Sequence, residues 1–478
     1  MGQEISTSRF RRQDFEQFGT RLAEETALLE TWFREARFDT TGCVAGFELE
    51  AWLVSADGRP AAMNAEYLDA LGSPLVVPEL SVYNVEINTR QRPLEGAALG
   101  RMRDSLDAIW ARCNEVASRF GSRLAMIGTL PSLREEDLGL HSMSPLQRYR
   151  ALNEQVLRLR QGRPLELEVR GAELLRIRQP DVMLEAATTS FQLHLQTPEA
   201  SAARLFNASV VAAAPTVAVA ANSPFLFGRK LWQETRVPVF EQAVAVGGEE
   251  AGGGPNPRVT FGSGYVRESL FELFAENRDC YPVLLPMCES EPPERLYHLR
   301  LHNGTIWRWI RPLIGFDGDG TPHLRIEHRV IPAGPSVPDA IANAAFYYGL
   351  AQALAAAPEP PEARIDFQTA RENFYAAARY GLAAQVRWLD GREVPLRALV
   401  LETLLPLARK GLQRLDIDPG DTDECLDIIE ARTRTGRTGA QWQLDYVARH
   451  GRDMEALTLA YLEHQQQGLP VHEWGVLC

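Results

Sequence analysis

Four short segments of this chain alternate apolar residues with large polar or ionisable ones. In Gly46-Phe-Glu-Leu-Glu50, Glu48 and Glu50 alternate with Phe47 and Leu49. In Tyr83-Asn-Val-Glu-Ile-Asn-Thr89, Glu86 and Asn88 alternate with Val85 and Ile87. Gln192, His194 and Gln196 alternate with Phe191, Leu193 and Leu195, and Arg325, Glu327 and Arg329 alternate with Leu324, Ile326 and Val330. Successive strand side chains point to opposite faces, so each segment predicts a strand with one apolar and one polar face. His328 breaks the pattern. A sheet packed on one side and wet on the other would also alternate. A solvent face, however, usually mixes Thr, Ser, Lys and Arg, whereas three of these strands carry Glu. Gathered carboxylates repel one another unless a cation sits among them. Hard oxygen ligands suit Mg2+ or Mn2+, held together with substrate phosphates. Arginine matches phosphate or carboxylate as a two-pronged fork. The set therefore points to metal-assisted phosphoryl chemistry. Zinc fits less well, because one imidazole and no cysteine pair accompany the acids.

These strands need a scaffold. Helical spacing is expected over 14–36 and 95–119, strands over 43–54 and 83–89, and a short strand over 124–130. The stretch 132–175 reads as helix and surface loop, and 199–221 as a buried helix of small residues. Strands are expected near 297–314 and 322–331, and mostly helix from about 338, with a break at Pro358-Glu-Pro-Pro-Glu. Residues 245–257 hold five glycines and two prolines and read as a loop, either a lid or a plain connection. Strands and helices mix without a βαβ rhythm and no Gly-x-Gly-x-x-Gly opens a helix, which disfavours a dinucleotide-binding sheet. An antiparallel sheet backed by helices fits better, an α+β class.

Composition narrows the function further. The chain has 478 residues, a net charge of −13 and ordinary globular proportions, with 45% apolar and 24% charged residues. Nucleic-acid binding is disfavoured, since neutralising phosphates needs a basic face. Only two of the 50 basic residues are lysine, Lys230 and Lys410, and neither lies in a P-loop motif. Arginine is what remains to grip oxyanions. The six cysteines (43, 113, 280, 288, 425 and 478) include no Cys-x-x-Cys pair, which suits a reduced, cytoplasmic protein. The apolar run Ala208–Ala221 is shorter than the ~20 residues of a membrane span, so no membrane role is expected.

Two further clusters stay open. Ala221-Asn-Ser-Pro-Phe225 with Arg229, Lys230 and Arg236 is either a capped helix end or part of a site. In Thr305-Ile-Trp-Arg-Trp-Ile-Arg311, the pair Trp307 and Trp309 is either packing or a stacking platform, and Arg311 is either an ion-pair partner or a ligand clamp. Cys43 is expected in the core.

Taken in order, these stretches, with Glu327-His-Arg329 and Gly439-Ala-Gln-Trp-Gln443, resemble the glutamate–cysteine ligase family, in its carboxylate–amine ligase branch. The resemblance runs over roughly 40–445. It implies a glutamine-synthetase-like fold, an antiparallel sheet curled into a funnel with helices outside. It implies an N-terminal helical segment (1–40), a catalytic domain (41–445) and a C-terminal helical tail (446–478). The implied reaction is two-step: ATP phosphorylates the side-chain carboxylate of glutamate, and the amine of cysteine displaces phosphate from the acyl phosphate. By matched position, Glu48, Glu50, Glu86, His194 and Glu327 would hold Mg2+ or Mn2+. Arg329 would stabilise the transferred phosphoryl group, with Arg325 beside it on the nucleotide. Arg236 and Arg311 would grip substrate carboxylates, and Gln192 and Asn88 would orient substrate. Where many members carry His-x-His, this chain has Gln192-Leu-His194. The same chemistry with another amine or acid, a binding protein of the same fold and a phosphoguanidine-type kinase are the competing readings. Oligomeric state is not legible.

Overall fold

The computed structural model describes residues 4, 5, 7–246 and 257–475. Its centre is an eight-stranded sheet made of β1 (Val44–Ser55), β2 (Val76–Pro78), β3 (Asn84–Asn88), β4 (Arg92–Pro93), β5 (Ser122–Ala125), β6 (Phe191–Thr197), β7 (Ile310–Phe316) and β8 (Pro322–His328). The order is β7-β8-β6-β1-β3-β2, with β4 and β5 both on the long strand β1, and every pairing is antiparallel. The sheet curls into an open half-barrel with helices outside, the expected α+β funnel.

One face of the sheet is the core. Phe47, Leu49, Val85, Ile87, Phe191, Leu193, Leu195, Leu324 and Ile326 are buried there against the helices Glu199–Ala220 and Val337–Ala355. Burial of this kind is worth about 25 cal/mol per Å² of apolar surface. His328 lies on this apolar face. It stacks on Tyr347 with ring centroids 3.9 Å apart, and burial holds its pKa down at about 3, so it is a neutral core ring. The helix Glu199–Ala220 is long and apolar enough to cross a membrane by length and composition, contrary to the sequence expectation, yet 89% of its apolar window is buried inside the fold.

Two expectations are corrected. The first half of 297–314 is a helix, Tyr297–Gly304, and the strand starts only at Ile310. The physical reason is Glu25, on the helix Arg12–Arg34. Its buried carboxylate accepts from Leu299 N at 2.8 Å and lies 2.6 Å from His298 Nδ1, so a free N–H of the first turn is satisfied from outside. Within 132–175, Leu165–Arg170 pairs with Leu174–Gln179 as a hairpin, burying Leu165, Leu167 and Val169 and turning Glu166, Glu168 and Arg170 outward. That alternation was present in the sequence. Of the glycine-rich segment, residues 247–256 lie outside the described residues.

The expected boundary at 445/446 falls inside the helix Gly439–His450. The following helix, Met454–Gln466, packs into a second apolar cluster with Trp52, Leu130 and Phe225 and is tied to the residue after β5. Tyr461 OH donates to Met126 O at 2.8 Å, and Gln465 Nε2 to Met126 O at 3.0 Å. A buried ion pair ties the helices behind the sheet: Arg432 Nη2 lies 2.6 Å from Asp339 Oδ1, and Arg432 Nη1 donates to Asn343 Oδ1 and Val219 O. Asp339 Oδ2 accepts from Val471 N at 2.9 Å, linking the C-terminal segment to the pair. Removing one partner of such a pair strands a buried charge. Asp339→Ala should therefore cost about 3–5 kcal/mol in urea unfolding; a loss under about 1 kcal/mol would show that the pair is not a structural tie.

Candidate active site

The other face of the sheet lines a cavity of ≈ 320 Å³. Strand register sets its floor. Glu50 pairs with Glu86 across β1–β3, and Glu48 with Gln192 across β1–β6. His194 pairs with Glu327 across β6–β8, Glu327 with Arg311 across β8–β7, and Gln196 with Arg325 across β6–β8. Cross-strand partners stand about 5 Å apart, so five strands converge their long polar side chains on one place.

The floor holds a mixed set and an all-acidic one. In the mixed set, His194 Nε2 lies 3.3 Å from Glu48 Oε1 and 3.8 Å from Glu327 Oε1. Both ring nitrogens of His194 are buried, and among the described residues neither has a partner in hydrogen-bond geometry. Ligand atoms of Glu48, His194 and Glu327 all lie within 4.8 Å of one another, a spacing that fits one divalent ion. Arg311 grips Glu327 two-pronged (Nε–Oε2 2.6 Å, Nη2–Oε1 2.8 Å), and Arg329 Nη1 reaches Glu327 Oε2 at 3.2 Å and Gln192 Oε1. Burial alone would raise the Glu327 pKa, but Arg311 and Arg329 outweigh it and hold the carboxylate ionised. His194 and Arg329 do the same for Glu48.

The all-acidic set has the opposite balance. Glu50, Glu79, Glu86 and Glu185 line the same cavity. Burial pushes Glu50 up to about 7, against Arg329 and reinforced by Glu86. Burial, then Glu48 and Glu79, push Glu86 up to about 8. Glu79 and Glu185 are raised by burial and by their acidic neighbours. Such a group needs protons or a cation to be stable. Glu50 and Glu86, paired across β1–β3, line this part of the cavity with Glu79, whereas among the described residues the group whose ligand atoms lie within 4.8 Å of one another is Glu48, His194 and Glu327.

The sequence-predicted residues fall into distinct places. Glu48, Glu50, Glu86, Gln192, His194, Arg311, Arg325, Glu327 and Arg329 all line the cavity. Asn88 and Arg236 do not. Asn88 stands behind Glu86, donating Nδ2 to Glu86 Oε1 at 2.7 Å. Arg236 is fully buried under the sheet, bonded to Glu234 at 3.2 Å and to the carbonyls of Arg329 and Val330. A guanidinium so engaged braces the backbone that carries Arg329 from outside the cavity lining. The segments Ala221–Phe225 and Gly439–Gln443 clasp each other. Ala440 N donates to Ala221 O at 2.8 Å, and Gln443 Nε2 to Asn222 Oδ1 at 3.1 Å. A Cβ at Gly439 would sit 2.1 Å from Asn222 Oδ1, so only glycine permits this approach. Trp309 is core, its Nε1 donating to Glu241, while Trp307 lines the cavity.

Sequence reasoning missed Glu79, Glu185, Arg148 and Arg300, which also line the cavity. Glu185 sits on a single 3-10 turn (Val182–Ala187) and Glu79 in a connection, where no periodicity marks a face.

The raised carboxyls carry a linkage. An acid with a raised folded pKa stabilises the fold below its unfolded value near 4.5 and loses that contribution as pH climbs through the folded value. With metal removed, the melting temperature should fall by a few degrees between pH 6 and 8.5, and Mn2+ should restore more of it at pH 8.5 than at pH 6. An equal Mn2+ shift at both values would contradict proton-for-metal exchange at Glu50 and Glu86.

Comparison with known proteins agrees with this geometry. The model of glutamate-cysteine ligase family 2 (GCS2) matches residues 44–463. The glutamate–cysteine ligase of Francisella tularensis, solved in complex with AMP, superposes with a TM-score of 0.54 at 13% identity, covering 92% of this chain and 91% of that one. At that identity the match shows the fold. A bifunctional glutathione synthetase from Pasteurella multocida gives a TM-score of 0.49 at 11% identity, over 92% of this chain and 55% of that one. No curated protein matches the sequence. The family match spans every strand of the funnel and every acid of its floor, and the chain belongs to glutamate-cysteine ligase family 2, a family of ATP-dependent ligases.

Proposed function

We propose that this ligase activates the side-chain carboxylate of glutamate as an acyl phosphate and passes the acyl group to an amine. The observation that carries the reading is the floor itself: Glu327 and Glu48 held ionised beside His194, with Arg311, Arg325 and Arg329 on the adjoining strands. Acids and arginines interleaved in this way suit a phosphoryl group carried between two oxyanions.

Glu48, His194 and Glu327 would hold one Mg2+ or Mn2+, and Glu50 and Glu86 another. Bound there, the ions would supply Lewis-acid charge to the phosphates of ATP. Arg329, fixed by Glu327 and Gln192, donates to the phosphoryl oxygens as the carboxylate of glutamate attacks phosphorus and the bond to ADP breaks. The amine then attacks the acyl carbon, and phosphate leaves with the former carboxylate oxygen. Arg325 lines the cavity with its Nε buried and unbonded among the described residues, a donor suited to the nucleotide's phosphates. Arg311 is spent on Glu327 through two bonds and one further contact to Gly304 O at 3.4 Å, so it orients that acid. Cytoplasmic residence fits the free cysteines among the described residues.

Cysteine is the amine that the family name points to. A specific feature favours a second reading with the same chemistry and a bulkier amine, because one wall of the cavity is apolar.

The test is metal-dependent hydroxamate formation from ATP, glutamate and hydroxylamine, which traps an activated acyl group whatever the natural amine. Wild-type protein should form glutamyl hydroxamate with Mg2+ and none after chelation. Arg329→Ala and Glu327→Gln should cut the rate about 10²–10³-fold with unchanged circular dichroism. Full activity in either variant would remove these residues from the mechanism, and no hydroxamate with any acidic substrate would remove the proposed activation.

A further inference from the structure

The cavity is not polar throughout. Val182 and Leu285 belong to one buried apolar cluster, and Leu152, Leu301 and Trp307 pack against it; all five also line the cavity. They come from different parts of the chain: the helix Gln147–Leu159, the 3-10 turn Val182–Ala187, the segment around 285, and the helix Tyr297–Gly304 with the residues after it. Five apolar side chains from these four places share one cluster and one side of the cavity. Ile5 and Phe10 belong to the same cluster.

Next to this wall stands Glu185. Residues three apart on a 3-10 helix eclipse one another, so Val182 and Glu185 share a face of their turn, and both line the cavity. The Glu185 carboxylate has no hydrogen bond or ion pair among the described residues. Its strongest charged neighbours are the acids Glu79 and Glu50, with Arg329 the opposing cation. A buried acid in such company is costly unless a cation reaches it. Arg325, Arg329 and Arg311 come from β7, β8 and the residue after it, while Arg148 and Arg300 line the cavity from the wall's own helices; Arg148 donates to Pro78 O at 3.4 Å and Tyr149 OH at 2.7 Å, Arg300 lies over the Phe316 ring, and neither pairs with Glu185 among the described residues. The wall with its acid therefore complements a ligand that is positive at one end and apolar along its body.

We propose that the acceptor is a primary amine on a bulky apolar or aromatic scaffold. Its ammonium is met by Glu185 and its body lies on Leu152, Val182, Leu285, Leu301 and Trp307. Trp307 and Leu285 set the preference for bulk, and Glu185 recognises the charge. The word acceptor rests on the ligase reading; the recognition chemistry does not. Cysteine, small and polar at its thiol, would leave most of the wall uncovered. Recognition by an apolar wall discriminates about 10-fold or more per methylene gained or lost.

The experiment is calorimetric binding to the full chain saturated with Mg2+ and a non-hydrolysable ATP analogue, using phenethylamine, ethylamine and cysteine. Phenethylamine should bind at least about tenfold more tightly than ethylamine or cysteine. Trp307→Ala and Leu285→Ala should each erase most of that preference. Glu185→Gln should weaken both simple amines about equally. Affinity for the nucleotide analogue should be unchanged in all three variants. Equal affinity for phenethylamine and ethylamine, or tighter binding of cysteine, would overturn the proposal. So would a loss of nucleotide affinity in Trp307→Ala, since the wall would then hold the base. Hydroxamate formation by the wild-type protein reports separately on the ligase reading: a protein that fails there yet binds phenethylamine selectively keeps the amine site and loses the reaction.

Discussion

Mutual repulsion of buried carboxylates is the constraint that this structure is arranged around. Six glutamates line one cavity: Glu48, Glu50, Glu79, Glu86, Glu185 and Glu327. Two of them are held ionised by their neighbours, Glu327 by Arg311 and Arg329, Glu48 by the His194 ring and Arg329. The other four lack sufficient compensation and shift upward, Glu50 to about 7 and Glu86 to about 8. Burying charge without a partner costs several kcal/mol per group, far more than a surface acid would. A fold with marginal total stability keeps such a cluster only if something bound repays it. Divalent ions and a phosphoryl-bearing substrate would complement it, and the family to which the chain belongs is one of ATP-dependent ligases.

The scaffold answers the same constraint. Antiparallel register lets five strands bring Glu86, Glu50, Glu48, Gln192, His194, Glu327 and Arg311 into adjacent positions on one face, while the opposite face is sealed by two helices of small and apolar residues. Behind the sheet, Arg236 ties the strand end that carries Arg329, and the Asp339–Arg432 pair ties the helices to the C-terminal segment. Charges in front are thus positioned by charges and packing behind.

Much of this was legible in the sequence, because a period of two is unmistakable when acids alternate with Phe, Leu, Val and Ile. Glu48, Glu50, Glu86, His194 and Glu327 all came from that pattern, and all line the cavity. Residues outside a regular strand were not legible. Glu79 and Glu185 lie in a connection and a single turn, and Arg300 lies on a helix read as a strand. That misreading arose because Glu25, almost three hundred residues earlier, satisfies the start of the helix at Tyr297, and no local signal announces it. Arg236 looked like a substrate clamp for the opposite reason: a polar residue type says nothing about which side of a sheet it is buried on. The motifs around Asn222 and Gly439 are a clasp between two backbone segments, a role that sequence order alone does not separate from catalysis.

The central claim is that the carboxylate of glutamate is activated by phosphorylation in this funnel. Glutamate labelled with 18O in its side-chain carboxylate tests it most directly, with mass analysis of the phosphate released as product forms. The account predicts one labelled oxygen per phosphate, since the oxygen that attacks phosphorus leaves with it. Product formed alongside unlabelled phosphate would contradict it, because the carboxylate would never have been joined to phosphorus.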